Sequence, residues 1–191
     1  MRTRFLLSYV IGLLLSVTLI AGYSNNHFFP AKTHKETQFL MDTIIEITAT
    51  GPGAEEAIRD AFVEFQRLHT LTNNFDPNSQ VSKINQMAGK GKVTVEPDLL
   101  KIVNRSCELS GKLEGSFDIT IGPLTELWGI GRKGEYVPSQ SEIENALTLV
   151  NYRMLEVDNV NSTIYLPKVG MSIDLGGIAK GYAADKAIEI L

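Results

Sequence analysis

Between Thr37 and Leu68 the apolar period of the chain switches from two to between three and four, and that switch restricts it to folds that mix sheet with helix. From Thr37 to Thr48 the residues alternate and are rich in β-branched types around Met41-Asp42-Thr43-Ile44-Ile45-Glu46-Ile47, which predicts a strand. Gly51-Pro52-Gly53 breaks it. Ala57, Ile58, Ala61, Phe62, Phe65 and Leu68 then recur at helical spacing. A second helix is predicted with Pro97 in its first turn and Leu99, Ile102, Val103, Ser106 and Leu113 along one face. A third opens on the capping box Ser139-Gln140-Ser141-Glu142 and continues through Ile143, Ala146, Leu147 and Val150. Met154 to Val157 and Thr163 to Leu166 read as a hairpin about Asp158-Asn159, and Ser172 to Leu175 as a last short strand. Gly176-Gly177 leads into a final helix with Ala184, Ala187, Ile188 and Leu191 on its apolar face. Strands and helices do not alternate regularly, so the expected class is α+β, with mixed or antiparallel sheets and packed helices.

At 191 residues, 43% of them apolar, the chain carries material for one globular domain. It is preceded by an export segment. Arg2 and Arg4 are followed by an uncharged run from Phe5 to Gly22 and then by polar residues, the pattern of an export signal or a membrane anchor over residues 1–24. Ile20-Ala21-Gly22 matches the start of a lipoprotein processing box, but Tyr23 stands where the lipid-bearing cysteine belongs, so no thioether forms there. Cleavage near Gly22, or retention as an inner-membrane anchor, are the two fates left, with the rest of the chain periplasmic or on the extracytoplasmic face. Residues 25–35, with Pro30, read as a tether. The net charge is −4, and residues beyond the two early arginines carry −6, which argues against a nucleic-acid partner. Cys107, the single cysteine, forms no internal disulfide and follows Leu99, Ile102 and Val103 at helical spacing, a core position. His69, at the edge of its helix stripe with no second ligand residue at metal spacing, reads as structural.

Three segments carry candidate chemistry. In Asp174-Leu175-Gly176-Gly177-Ile178-Ala179-Lys180-Gly181, two glycines at a strand-to-helix junction admit close approach of a ligand, and the helix start offers amides to an anion. A tight turn would need those glycines anyway, and the Walker spacing is absent. In Gly115-Ser116-Phe117-Asp118, followed by Gly122-Pro123-Leu124 and Trp128, an aromatic beside a carboxylate suits a flat heteroaromatic ligand, or equally a core ring and a turn residue. Asn74-Phe75-Asp76-Pro77-Asn78-Ser79 reads as a turn, with a short helix from Ser79 to Asn85 after it.

Taken in chain order, Met41-Asp42-Thr43, Phe75-Asp76-Pro77 with Ser79 and Asn85, Gly115 to Asp118 with Gly122-Pro123-Leu124 and Trp128, and Asp174 to Tyr182 resemble the FAD:protein FMN transferase family, also known as ApbE-like thiamine-biosynthesis lipoproteins. The resemblance covers the stretch from about Thr37 onward and makes residues 36–191 the N-terminal part of a flavin transferase domain. It implies that FAD is bound with Mg2+ at its pyrophosphate, and that FMN passes to a threonine or serine of a membrane or periplasmic acceptor protein with release of AMP. It further implies that Met41, Phe75 (where the family usually has Tyr), Ser116, Phe117, Asp118, Asp174 and Lys180 touch FAD, and that Gly177 gives its carbonyl to the metal. The family's remaining metal ligands, an Asp pair and a Thr, have no counterpart in this sequence, and Tyr23 departs from its lipoprotein signal. Two other readings follow: an FAD pyrophosphatase, in which water replaces the acceptor, and a truncated flavin-binding remnant without activity.

Overall fold

The computed structural model describes residues 31–131 and 136–191; the export segment and the first part of the tether lie outside them. Strands β1 (Thr33–Leu40) and β2 (Thr43–Thr50) form an antiparallel hairpin with Leu40 opposite Thr43. Helix α1 (Ala54–Thr72) follows, then the short α2 (Gln80–Gln86), β3 (Val93–Thr94) and α3 (Pro97–Lys112). Beyond these come α4 (Gly122–Leu127), α5 (Gln140–Leu147), β4 (Glu156–Asp158), β5 (Thr163–Tyr165) and the closing α6 (Ala179–Ile190). β5 lies between β3 and β4, antiparallel to both. The architecture is α+β, with small antiparallel sheets beside packed helices.

Where one strand was expected across Thr37 to Thr48, the chain folds a hairpin. Met41 and Asp42 both take positive φ, 53° and 56°, the two-residue turn whose twist suits paired strands. The turn is hidden because Phe39 and Ile44 place apolar side chains on the outer face, where they are 70% and 72% exposed, and blur the change of phase. β1 also takes up Thr33 to Lys35, which read as tether.

α1 buries Ile58, Ala61, Phe62, Phe65, Leu68 and Leu71, the stripe expected of it, extended by a turn. α3 buries Leu99, Ile102, Val103, Ser106 and Ser110, while Leu113 is its exposed C-cap rather than part of the face. The Ser106 and Ser110 hydroxyls donate to the carbonyls four residues back, which satisfies them inside the core. The capping box at Ser139 forms as predicted, yet α5 buries no residue and lies at the periphery.

Two further expectations change. Residues 172–175 are extended but join no named sheet; their single ladder contact is a parallel bridge between Ile121 and Ser172. The final helix turns inward a face that overlaps the expected one only in part: Ala187 is buried and Ala184 packs on the core, but Ala179 and Ala183 join them while Ile188 and Leu191 are exposed. α6 packs along α1, and methyl-sized side chains let the two axes approach closely. Among the described residues no helix is long and apolar enough to cross a membrane.

Candidate functional site

The site is built where the extended segment meets α6. Met171, Ile173 and Leu175 are buried, so the period of two turns Ser172, Asp174 and Gly176 the other way, toward a cleft. The Asp174 carboxylate is held by two neighbours. Its Oδ1 accepts the Gly176 N–H at 2.8 Å, and its Oδ2 accepts from Asn74 Nδ2 at 3.3 Å. The Asp174 N–H donates to the Ile119 carbonyl at 2.8 Å, tying the segment to the loop that carries Phe117 and Asp118. Ile178 occupies the N-cap of α6 without any side-chain cap. The Ile178 and Ala179 N–H groups both donate to the Leu175 carbonyl, at 3.0 and 2.8 Å, so the amides of the first turn left to an incoming anion are those of Lys180 and Gly181. Lys180, one turn in and exposed, donates to the Gly176 carbonyl at 3.5 Å, placing its ammonium group beside the same junction.

A cavity of about 250 Å³ opens at this junction. Met41 and Asp42 of the hairpin turn, His69 and Thr72 at the end of α1, Asn73 to Phe75, Ile130, Gly131, Asp174 to Gly176, Ala179 and Lys180 line it. Met41 is buried and holds the left-handed backbone that a long side chain rarely adopts, so strain sits on the cavity wall. A second cavity of about 260 Å³, with Asn85, Gln86, Thr125 and Ser172 in its wall, shares Asn74, Phe75 and Ile130 with the first. Phe75 stands between the two. The tip of its ring packs on Gly131, where an added Cβ would lie 2.7 Å from Cζ.

Of the residues expected at the site, Met41, Phe75, Asp174 and Lys180 line the first cavity together. Gly177 lies beside it, and Phe117 packs against Gly177, where an added Cβ would come within 3.2 Å of the ring. Ser116 and Asp118 do not line either cavity. Ser116 is exposed and closes a turn onto the Leu113 carbonyl. The Asp118 carboxylate accepts from the Thr120 N–H and hydroxyl at 2.8 and 2.7 Å and from the Tyr152 N–H at 2.8 Å. Asp118 thereby ties the 116–120 loop to the turn at Asn151 and Tyr152. Nearby Cys107 is pushed up by burial first and by the Asp118 charge second, the state of an inert thiol.

Sequence reasoning passed over Asp42, Asn74, Ile130 and Gly131 as wall residues; His69, read as structural, also belongs to the wall. A left-handed turn at Met41-Asp42 leaves no signal in residue type. Asn74 stood beside a readable Asp-Pro turn and carried the one available hint.

The model of the ApbE family matches residues 41–191, a span that starts at the first cavity residue and contains every other. The chain belongs to the ApbE family. It is 36% identical over 130 residues to the FAD:protein FMN transferase of Klebsiella pneumoniae, covering 68% of this chain and 41% of that protein. It is 28% identical over 169 residues to the FAD:protein FMN transferase of Treponema pallidum, covering 84% and 47%. The crystal structure of the ApbE protein from Thermotoga maritima superposes with a TM-score of 0.79 at 31% identity, over 83% of this chain and 52% of that one. The flavin transferase ApbE of Vibrio cholerae shares the fold with a TM-score of 0.77. This ApbE-family chain therefore spans about half the length of the curated relatives it matches.

Proposed function

We propose that this chain supplies the flavin-binding half of an FAD:protein FMN transferase, which moves FMN from FAD to a threonine or serine of an acceptor protein and releases AMP. The observation that carries the reading is the convergence of Met41, Phe75, Asp174, Gly176 and Lys180 on one cavity at the open N-terminus of α6. Helix amides and an ammonium group suit a pyrophosphate, and the Phe75 ring between two adjoining cavities suits an extended ligand with flat ends. In phosphoryl transfer the protein chiefly positions groups and offsets charge on phosphate oxygens. Here α6 and Lys180 hold the charged centre, Asp174 fixes the Gly176 turn, and Phe117 supports Gly177 from behind. Ser116 and Asp118 enter the proposal as residues that shape the loop under Gly177, with direct flavin contact reserved for Met41, Phe75, Asp174 and Lys180.

Mg2+ seeks a near-octahedral set of oxygens. The described residues gather no group of three His, Cys, Asp or Glu side chains that could hold a metal. The Gly177 carbonyl, which accepts no hydrogen bond among the described residues, offers one oxygen. This half of the site therefore does not make a magnesium site by itself. The proposal places the remaining ligands in the part of the relatives that this chain does not match. It also places the protein outside the cytoplasm, exported by residues 1–24, with a periplasmic or membrane-bound acceptor.

The test incubates the full-length gene product with FAD, Mg2+ and a candidate acceptor domain and reads both the acceptor mass and the nucleotide products. An FMN adduct with stoichiometric AMP supports transfer. AMP with free FMN and no adduct replaces it with the pyrophosphatase reading. FAD bound without turnover leaves a flavin-binding module.

A further inference from the structure

The segment that presents Asp174 has an unusual neighbour. Ile173 is fully buried, and both of its backbone polar groups are satisfied by one side chain. Asn85 Oδ1 accepts the Ile173 N–H at 2.8 Å, and Asn85 Nδ2 donates to the Ile173 carbonyl at 3.0 Å. A primary amide thus takes the place of an adjacent strand. On the other side the segment is held by the Ile119 carbonyl and by the bridge between Ile121 and Ser172. The same short stretch of chain reaches one residue further: Asn74 donates to Asp174, and the Ser82 hydroxyl of α2 donates to the Asn74 carbonyl at 3.3 Å.

We infer that Asn85 is a positioning residue of the flavin site, setting through the Ile173 backbone where Asp174 and the Gly176 turn stand. The inference rests on the flavin reading of the cleft. The chemistry selects asparagine at this position. A primary amide sets a donor and an acceptor side by side at every pH, whereas an ionised aspartate loses the donor and leucine has neither. Glutamine carries the same pair one methylene further out, where it overshoots. Leaving a buried N–H and carbonyl without partners favours a shift of the segment toward water, and Asp174 and Gly176 would move with it. Ser79, which caps α2 by accepting from the Ser82 N–H, keeps the helix that carries Asn85 in place.

The experiment compares Asn85→Ala, Asn85→Asp and Asn85→Gln with the unaltered protein and with Ile164→Ala, a core variant on β5 away from the cleft. FAD affinity is read by quenching of flavin fluorescence, and amide exchange is read peptide by peptide. All three Asn85 variants should bind FAD at least about tenfold more weakly and should exchange faster at residues 172–176, with α1 and α3 still protected. Ile164→Ala should lower the melting temperature yet keep the affinity. The inference is overturned if Asn85→Ala binds FAD like the unaltered protein, or if Ile164→Ala loses affinity to the same degree. If the unaltered protein binds no FAD, the flavin reading falls, and exchange at residues 172–176 alone decides whether Asn85 holds the segment.

Discussion

At the scale of single residues, the hairpin turn concentrates the conflict between folding and site. Met41 and Asp42 both sit in left-handed backbone, a conformation that costs an L-residue roughly 1–2 kcal/mol and aspartate somewhat less. A Gly pair or Asn-Gly would fold this turn more easily. Both residues line the cavity, so the strain is kept at its wall. Asp42→Gly removes the Cβ penalty at an exposed position and should raise stability by about 0.5–1 kcal/mol, seen as a higher denaturation midpoint with an unchanged slope. If Asp42 shapes the ligand wall, the same variant should bind FAD less well. A gain in both properties would show that the turn residue serves neither.

At the scale of elements, three helices are tied at one ionic junction. Arg67 of α1 donates from Nε and Nη2 to both Glu64 oxygens at 2.8 and 2.7 Å and also from Nη2 to Asp98 in the first turn of α3. The Tyr182 hydroxyl of α6 donates to the other Asp98 oxygen at 2.7 Å. The alanine stripe of α6 gives close approach but little interlocking, so this junction sets the rotation of the helix whose N-terminus faces the cleft. Burial pushes the Asp98 carboxyl up, but the hydrogen bonds from Tyr182 and Arg67 outweigh it and hold it below its ordinary 3.8. The Arg67 hydrogen bond holds Glu64 below its ordinary 4.5, and burial with the Asp98 bond pushes the Tyr182 phenol well above 10. Lowered carboxyls stabilise the fold above their unfolded values, and that contribution is lost as pH falls from about 4.5 through the folded values. The raised phenol contributes below about 10 and is lost as pH rises further. The contribution of this junction should thus be constant across neutral pH and fall on both sides. Tyr182→Phe should cost about 1 kcal/mol at pH 7 and move the acid shoulder upward, as Asp98 loses a donor. An acid shoulder that stays in place would remove Tyr182 from the junction.

How much of this was legible follows from which signals are periodic. α1, α3 and the cap of α5 could be read because large apolar residues or a capping box repeat at helical spacing. The inward face of α6 was read only in part: Ala187 is buried as expected and Ala184 packs on the core, but Ala179 and Ala183 are too small to mark the stripe, and Ile188 drew the reading outward. Segment 172–175 alternates like a strand, but its partner on one side is the Asn85 side chain, which no strand pattern announces. In the same way Met41, Phe75, Asp174 and Lys180 were singled out through a family resemblance, while their meeting in one cavity is a tertiary fact.

Across the whole molecule, the cavity draws its wall from the hairpin turn, the end of α1, the Asn73–Phe75 turn, residues 130–131 and the start of α6. These segments meet only in the folded chain, so a ligand held there binds the native state and not the unfolded one. Mass action then stabilises the fold by about 2.7 kcal/mol at a hundredfold excess of free ligand over Kd. For a chain of this size each kcal/mol is worth about 2–4 °C, so FAD at that excess should raise the melting temperature by about 5–10 °C. AMP and FMN, each holding one end of the dinucleotide, should give smaller shifts at equal concentration, because neither spans both sides of Phe75. Lys180→Ala should shrink the FAD shift while leaving the ligand-free melting temperature nearly unchanged, since Lys180 is exposed and its one hydrogen bond is long. If saturating FAD left the melting curve where it was, the convergence of these segments would have to be explained without a flavin. If AMP alone reproduced the full shift, the cleft would be a nucleotide site, and the flavin end of the ligand would contribute nothing to the hold.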